Sequence, residues 1–352
     1  MPRILCLALF LAALFIEVSF LPVRLFAQTS FYQGKTITII QGVDPGGLAD
    51  LRTRSLIPFL QKYIPGNPTI VSEYIPGGGG RKAANHVYRS APPDGLTIGR
   101  PGVGMVSAAV LGESGVFYDL DKFFYLGSTN STARILFFTR KQAGLNSIEK
   151  LQSATGVRIG AQSVGFSIYN DARLFAYLIG LKEPKFVTGY SGPEIDQALM
   201  QGEVDARSSP ADTVLHRNRD WLDKGLVDFH AILEIPKGDK HPQFSHLPEI
   251  ESFARSDRER KLVDLARAYR VAGGPSVLPP GTPEDRVIIL QEAFRKTYKD
   301  PEFLREYKKL TGEEATPLLP ENHEKVIREI PRDPEVIELF KKLAGAEPLP
   351  AR

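Results

Sequence analysis

Short β-rich runs alternate with helical stretches along this chain, and glycine-rich turns stand where strand gives way to helix. Thr36–Gln41 (TITIIQ) reads as a β-branched strand and Thr69–Tyr74 as a second. Further strands are expected at 96–99, 123–126, 135–139, 157–161, 185–188, 204–207 and 227–235. After the first strand, Leu48, Leu51, Leu56, Phe59, Leu60 and Tyr63 fall roughly on one helical face. This alternation predicts parallel sheets with helices on their faces. At roughly 100–200 residues per domain, the 352 residues suggest two α/β domains.

The C-terminal stretch is helical in character. Thr282 reads as an N-cap with Pro283 at the first helical position, and Glu284 and Asp285 suit the positive end of the helix. Asp300 and Pro301 repeat the device, and Gly312 is placed to close that helix. Two more helices are expected near 320–330 and 333–344.

The N-terminus reads as an export signal covering residues 1–27. Arg3 precedes an unbroken apolar run over 4–16, long enough for a signal core and short of the roughly 20 residues that span a bilayer. The alternative is an uncleaved membrane anchor. The single cysteine, Cys6, lies inside this segment, so the mature chain is expected to form no disulfide and to carry no thiol nucleophile. The net charge of +3 gives no basic field for nucleic acid. The six histidines show no metal-ligand spacing, and no cofactor or metal is expected.

Four loops between strands and helices could carry chemistry. The first is Asp44-Pro45-Gly46-Gly47-Leu48-Ala49-Asp50, where glycines let backbone approach a ligand and free N–H groups at a helix start attract an anion. The second runs over 76–80, with Gly78 at its centre and Arg81 and Lys82 after it. Each also reads as a plain tight turn. The third holds Ser163, Gly165, Ser167 and Tyr169, small hydroxyls and a glycine ahead of a helix. The fourth is Gly189-Tyr190-Ser191-Gly192. None fits a phosphate-binding loop, a dinucleotide fingerprint or a nucleophile elbow. Open α/β sheets bind ligands at such strand ends.

With these segments in order, the chain resembles the tripartite tricarboxylate transporter receptors, the TctC or Bug family of periplasmic solute-binding proteins. The likeness runs through residues 39–50, the glycine loop at 76–80, and Pro93-Asp94-Gly95-Leu96-Thr97. It continues through Ser163-x-Gly165-x-Ser167, Tyr190-x-Gly192 and Gly202-Glu203-Val204-Asp205. Leu247-Pro248-Glu249, Pro280-Gly281-Thr282-Pro283 and Asp300-Pro301-Glu302 complete the series.

The resemblance implies a type II periplasmic-binding-protein fold, with two α/β domains, a ligand cleft and crossing hinge strands. The expected division is 28–132 plus 236–352 as a discontinuous first domain and 133–235 as the second. It implies a monomeric receptor, not an enzyme, that closes on a small carboxylate and hands it to membrane permease subunits. A periplasmic adaptor presenting ligand to a sensor kinase is the alternative. Carried over by position, Pro45, Gly46, Gly47 and Asp50 would meet the ligand from one domain, and Ser163, Gly165, Ser167 and Tyr190 from the other. Asp44 departs from the pattern by adding an acid beside an anion site, and Arg81 and Lys82 add cations after the second glycine loop. Arg81 or Arg134 could offer a guanidinium to a carboxylate, or could be solvated surface residues.

Overall fold

A computed structural model describes residues 30–352. The expected export signal and Cys6 lie outside the described residues. In chain order the first half holds β1 (Thr36–Gln41), α1 (Leu48–Tyr63), β2 (Thr69–Tyr74), α2 (Arg81–Arg89), β3 (Thr97–Arg100), α3 (Gly104–Val110) and β4 (Phe124–Gly127). The second half follows with β5 (Ile135–Arg140), α4 (Ile148–Ser153), β6 (Arg158–Gly160), α5 (Ser167–Ile179), β7 (Lys185–Val187) and α6 (Gly192–Gln201). It ends with β8 (Ala206–Pro210), α7 (Ala211–His216), α8 (Arg219–Asp223) and β9 (Val227–Leu233). The chain closes with α9 (Asp257–Ala272), β10 (Ser276–Leu278), α10 (Glu284–Lys299), α11 (Pro301–Thr311), α12 (Pro320–Arg328) and α13 (Pro334–Ala344).

The strands form two five-stranded sheets, ordered β2-β1-β3-β10-β4 and β7-β6-β8-β5-β9. Within each, the first three strands are parallel and the fourth runs antiparallel to its neighbours. The sheets are therefore mixed, a correction to the parallel arrangement expected from strand–helix alternation. The antiparallel member of the first sheet, β10, comes from far down the chain. Only three residues long and followed by Pro279 and Pro280, it gives no periodic signal.

Burial explains why these runs pair. Ile37, Ile39 and Ile40 of β1 are all buried, as are Ile135, Leu136, Phe137 and Phe138 of β5. Adjacent buried apolar residues, Ile39–Ile40 in β1 and the run over 135–138 in β5, mark strands covered on both faces. One face of the first sheet packs Ile37 and Ile39 with Leu56, Leu60, Leu290, Phe294 and Phe303 of α1, α10 and α11. The opposite face packs Ile40 against α2 and α3 through Val87 and Met105. Asp300 caps α11 through its side chain, accepting from the Glu302 N–H at 2.8 Å, and Gly312 closes the helix with φ 77°. Thr282 does not cap α10. Its Oγ1 instead donates to the Pro279 carbonyl at 2.8 Å, and Pro283 takes the N-cap position.

Candidate functional site

A cavity of about 600 Å³ lies between the two sheets, at the carboxyl ends of β1, β3, β6 and β8. Two long helices begin at its walls. α1 starts after Gly47 and α5 after Phe166, and neither start is capped by a side chain. Gly47, Leu48 and Ala49 line one wall, and Phe166, Ser167 and Ile168 the other. The first N–H groups of a helix have no partner within it, and the helix dipole places partial positive charge there. Two such ends facing one cavity form a place for negatively charged oxygen. A third helix, α6, also starts at the cavity, but Ser191 and Glu194 close it with a capping box.

Asp44, Pro45, Gly47, Ser163, Ser167 and Tyr190 line the cavity together, although they come from segments more than a hundred residues apart. Asp44 is exposed, so solvent weakens its repulsion of an anion. The Tyr190 hydroxyl lies 3.2 Å from a Glu203 carboxylate oxygen.

Other expected residues lie behind this wall. Asp50 is fully buried and accepts bonds from the Gly46 N–H (2.8 Å), the Tyr74 hydroxyl (2.8 Å) and the Gln41 amide (3.1 Å). Burial pushes its carboxyl up, but these bonds and Arg54 outweigh burial and hold it below the usual range. Asp50 thus folds the Gly46 loop back on the helix, and Gly46 itself, at φ 82°, supports that turn. Tyr169 is buried and donates its hydroxyl to the Gly345 carbonyl at 2.6 Å, tying the C-terminal segment to α5. Arg81 pairs with Glu113, and Arg134 with Asp239; neither guanidinium lines the cavity.

The second glycine loop is divided: Pro76 and Gly77 line the cavity, and the glycines after them serve a close backbone approach. Gly78 lies outside the lining, while a Cβ on Gly79 would sit 2.7 Å from the Gly165 carbonyl oxygen, and one on Gly104 2.1 Å from the Gly79 oxygen. The Gly79–Gly165 approach is between backbone segments of the two sheets, and the Gly79–Gly104 approach lies between two loops of the first. Gly165 is buried in its contact, beside the Arg81–Glu113 pair.

Sequence reasoning missed the arginines. Arg52, Arg100, Arg207, Arg217 and Arg270 all line the cavity. Arg52 bonds Glu313 with Nε at 2.9 Å and Nη2 at 2.7 Å. Arg207 and Arg217 share Asp196, and Arg270 pairs with Asp171. Arg100 has no carboxylate within ion-pair distance among the described residues; its Nη1 donates to Ser276 Oγ at 2.7 Å. Burial pushes its guanidinium below the usual range, and Arg52 nearby pushes the same way. The available signal was position: Arg100 ends a strand, directly before Pro101 and Gly102, where such sheets bind ligands.

No protein-family model matches the chain, and no curated protein matches it in sequence. Solved structures do match in shape. The periplasmic binding protein BugD superposes with a TM-score of 0.69 at 21% identity, covering 89% of this chain and 98% of that one. MatC from Rhodopseudomonas palustris, solved with malate, gives 0.65 at 20% identity over 88% and 99% of the two chains. Another R. palustris protein, solved with adipate, gives 0.66 at 17% identity over 88% and 96%. What the chain shares with these structures is their architecture, the two-domain α/β type II fold of periplasmic solute-binding proteins.

Proposed function

We propose that this chain is an extracytoplasmic receptor that captures a small carboxylated metabolite between its two domains and delivers it to a tripartite tricarboxylate-type transporter. The observation that carries this reading is the pair of uncapped helix starts, one from each domain, at a shared cavity. A carboxylate there would accept N–H bonds from the residue 47–49 turn, and Ser163 and Ser167 would add hydroxyls from the opposite wall. The malate and adipate held by two structures of this fold are ligands of the same chemical kind.

Closure supplies the mechanism. The ligand touches residues 30–132 plus 236–352 on one side and 133–235 on the other, and stabilises the form in which both walls reach it. The Gly79–Gly165 approach belongs to that closed form, because any side chain at Gly79 would hold the domains apart. The role calls for no bond-making step. An export signal at residues 1–27 would carry the chain to the periplasm, and the closed surface would be what permease subunits recognise.

A thermal-shift screen of di- and tricarboxylates, aromatic acids and amino acids tests the reading. A ligand at a hundred times its Kd should stabilise the protein by about 2.7 kcal/mol. Mass spectrometry of small molecules co-purified from the native host should identify an acid. If acids of every class leave the melting temperature unmoved, the assignment fails.

A further inference from the structure

We propose that Arg100 determines specificity, pairing with a second anionic group on the ligand so that the cavity selects acids charged at two positions. This rests on the reading of the cavity as an acid-binding cleft, and it adds a side-chain cation to a site otherwise built from backbone.

The charges around the cavity carry the inference. Of the five arginines that line it, Arg52, Arg207, Arg217 and Arg270 have carboxylate partners. Arg100 is only 8% exposed, yet among the described residues it has no carboxylate at ion-pair distance. Its guanidinium donates to the neutral Ser276 hydroxyl. A buried cation without a counter-charge is costly, and is retained where something else supplies the charge.

The two acids that line the cavity are otherwise placed. Glu194 accepts the Ser191 N–H at 2.6 Å, and Asp44 is exposed. Nor does the local helix supply an acid, since α2, the helix before β3, has none in its nine residues. Arg100 stands opposite Gln41 in the β1–β3 register, beside the loop that leads into α1. A ligand with one carboxylate at the α1 and α5 starts would present its second charged end to the same cavity. Ser276 positions the guanidinium and touches no ligand.

The test uses isothermal titration of the full mature chain with succinate, glutarate and adipate, against butanoate, pentanoate and hexanoate. Wild type should favour at least one diacid over its matched monoacid by about 10- to 100-fold, the range of one charge-assisted pair. Arg100→Gln should weaken diacid binding much more than monoacid binding and so abolish that preference, and Arg100→Lys should keep part of it. Unliganded Arg100→Gln should melt at or above wild type, because it loses an uncompensated charge; a purely structural arginine would lower the melting temperature. Equal wild-type affinity for diacids and monoacids overturns the role of Arg100 but leaves the acid-binding cleft standing. Equal loss of both classes in Arg100→Gln also overturns it. If wild type binds no acid of either class, the cleft reading fails and takes this inference with it.

Discussion

The two sheets share one plan, and they treat the same position differently. In each, one strand (β1 or β6) stands second in the sheet, the next strand along the chain (β2 or β7) lies outside it, and the one after that (β3 or β8) lies inside. Gln41, the last residue of β1, pairs with Arg100, and Gly160, the last residue of β6, pairs with Arg207. Arginine thus stands at the equivalent point in both sheets, and both side chains reach the cavity. Arg207 is neutralised by Asp196 of α6, the helix after β7. The corresponding helix of the first half, α2, carries no acid. One fold position therefore holds a structural ion pair in one domain and an unsatisfied cation in the other. Fold alone does not decide which cation is available; the sequence of a neighbouring helix does.

The sharpest way to break this contrast is to remove the acid. Asp196→Ala leaves Arg207 buried beside Arg217 with no counter-charge, and removing one partner of a buried pair costs about 3–5 kcal/mol. Chemical denaturation should show that loss in Asp196→Ala, with no comparable loss in Arg100→Gln. Similar losses in both variants would mean that Arg100 has a structural partner after all, and the two positions would be alike.

A second contrast concerns the strand-to-helix loops. The first is pinned by a carboxylate, Asp50 on the Gly46 N–H; the third by a neutral amide, Asn170 Nδ2 on the Gly165 carbonyl at 3.4 Å. Asp50→Asn should cost about 2 kcal/mol at neutral pH, the worth of a charge-assisted bond. The folded carboxyl lies below its unfolded value, so its contribution is complete above the unfolded value and fades as pH falls through the folded one. The gap between wild type and Asp50→Asn should therefore be widest at neutral pH and narrow below about pH 4. The matching substitution Asn170→Asp should introduce a dependence of opposite sign, since a carboxylate there would face a carbonyl and need to be protonated. A gap independent of pH would remove Asp50 from this role.

These contrasts show what the sequence could and could not convey. The alternating strands and helices were readable because burial on both faces leaves adjacent apolar residues, as in β1 and β5. Glycine and hydroxyl loops were readable because helix starts have local chemistry. Partnership was not. Arg81 and Arg134 stand near loops and looked available, but Glu113 and Asp239 occupy them from 32 and 105 residues away. Arg100 lies just past the strand expected at 96–99, and its buried setting depends on β10, whose Ser276 comes 176 residues later. Asp50 followed the glycines as a ligand contact would, yet its partners Tyr74 and Gln41 turn it inward. Local pattern located the cavity; long-range pairing decided which charges in it are free.

The smallest effect separates the three helix starts. α1 and α5 open uncapped to the cavity, whereas α6 is closed by the Ser191–Glu194 box, with the Ser191 N–H held at 2.6 Å. Ser191→Ala removes the hydroxyl that accepts from the first turn of α6, which should cost about 1 kcal/mol of stability. It should leave acid affinity unchanged, because a helix start already satisfied by its own side chains has no N–H to offer a guest. Ser163→Asp, by contrast, places a fixed negative charge beside the α5 start and should weaken acid binding about tenfold by repelling the ligand's carboxylate. Titration of both variants with the same acid makes the comparison. If Ser191→Ala weakens binding as much as Ser163→Asp does, the ligand sits on the capped helix, and the difference between open and closed helix starts has no bearing on where it is held.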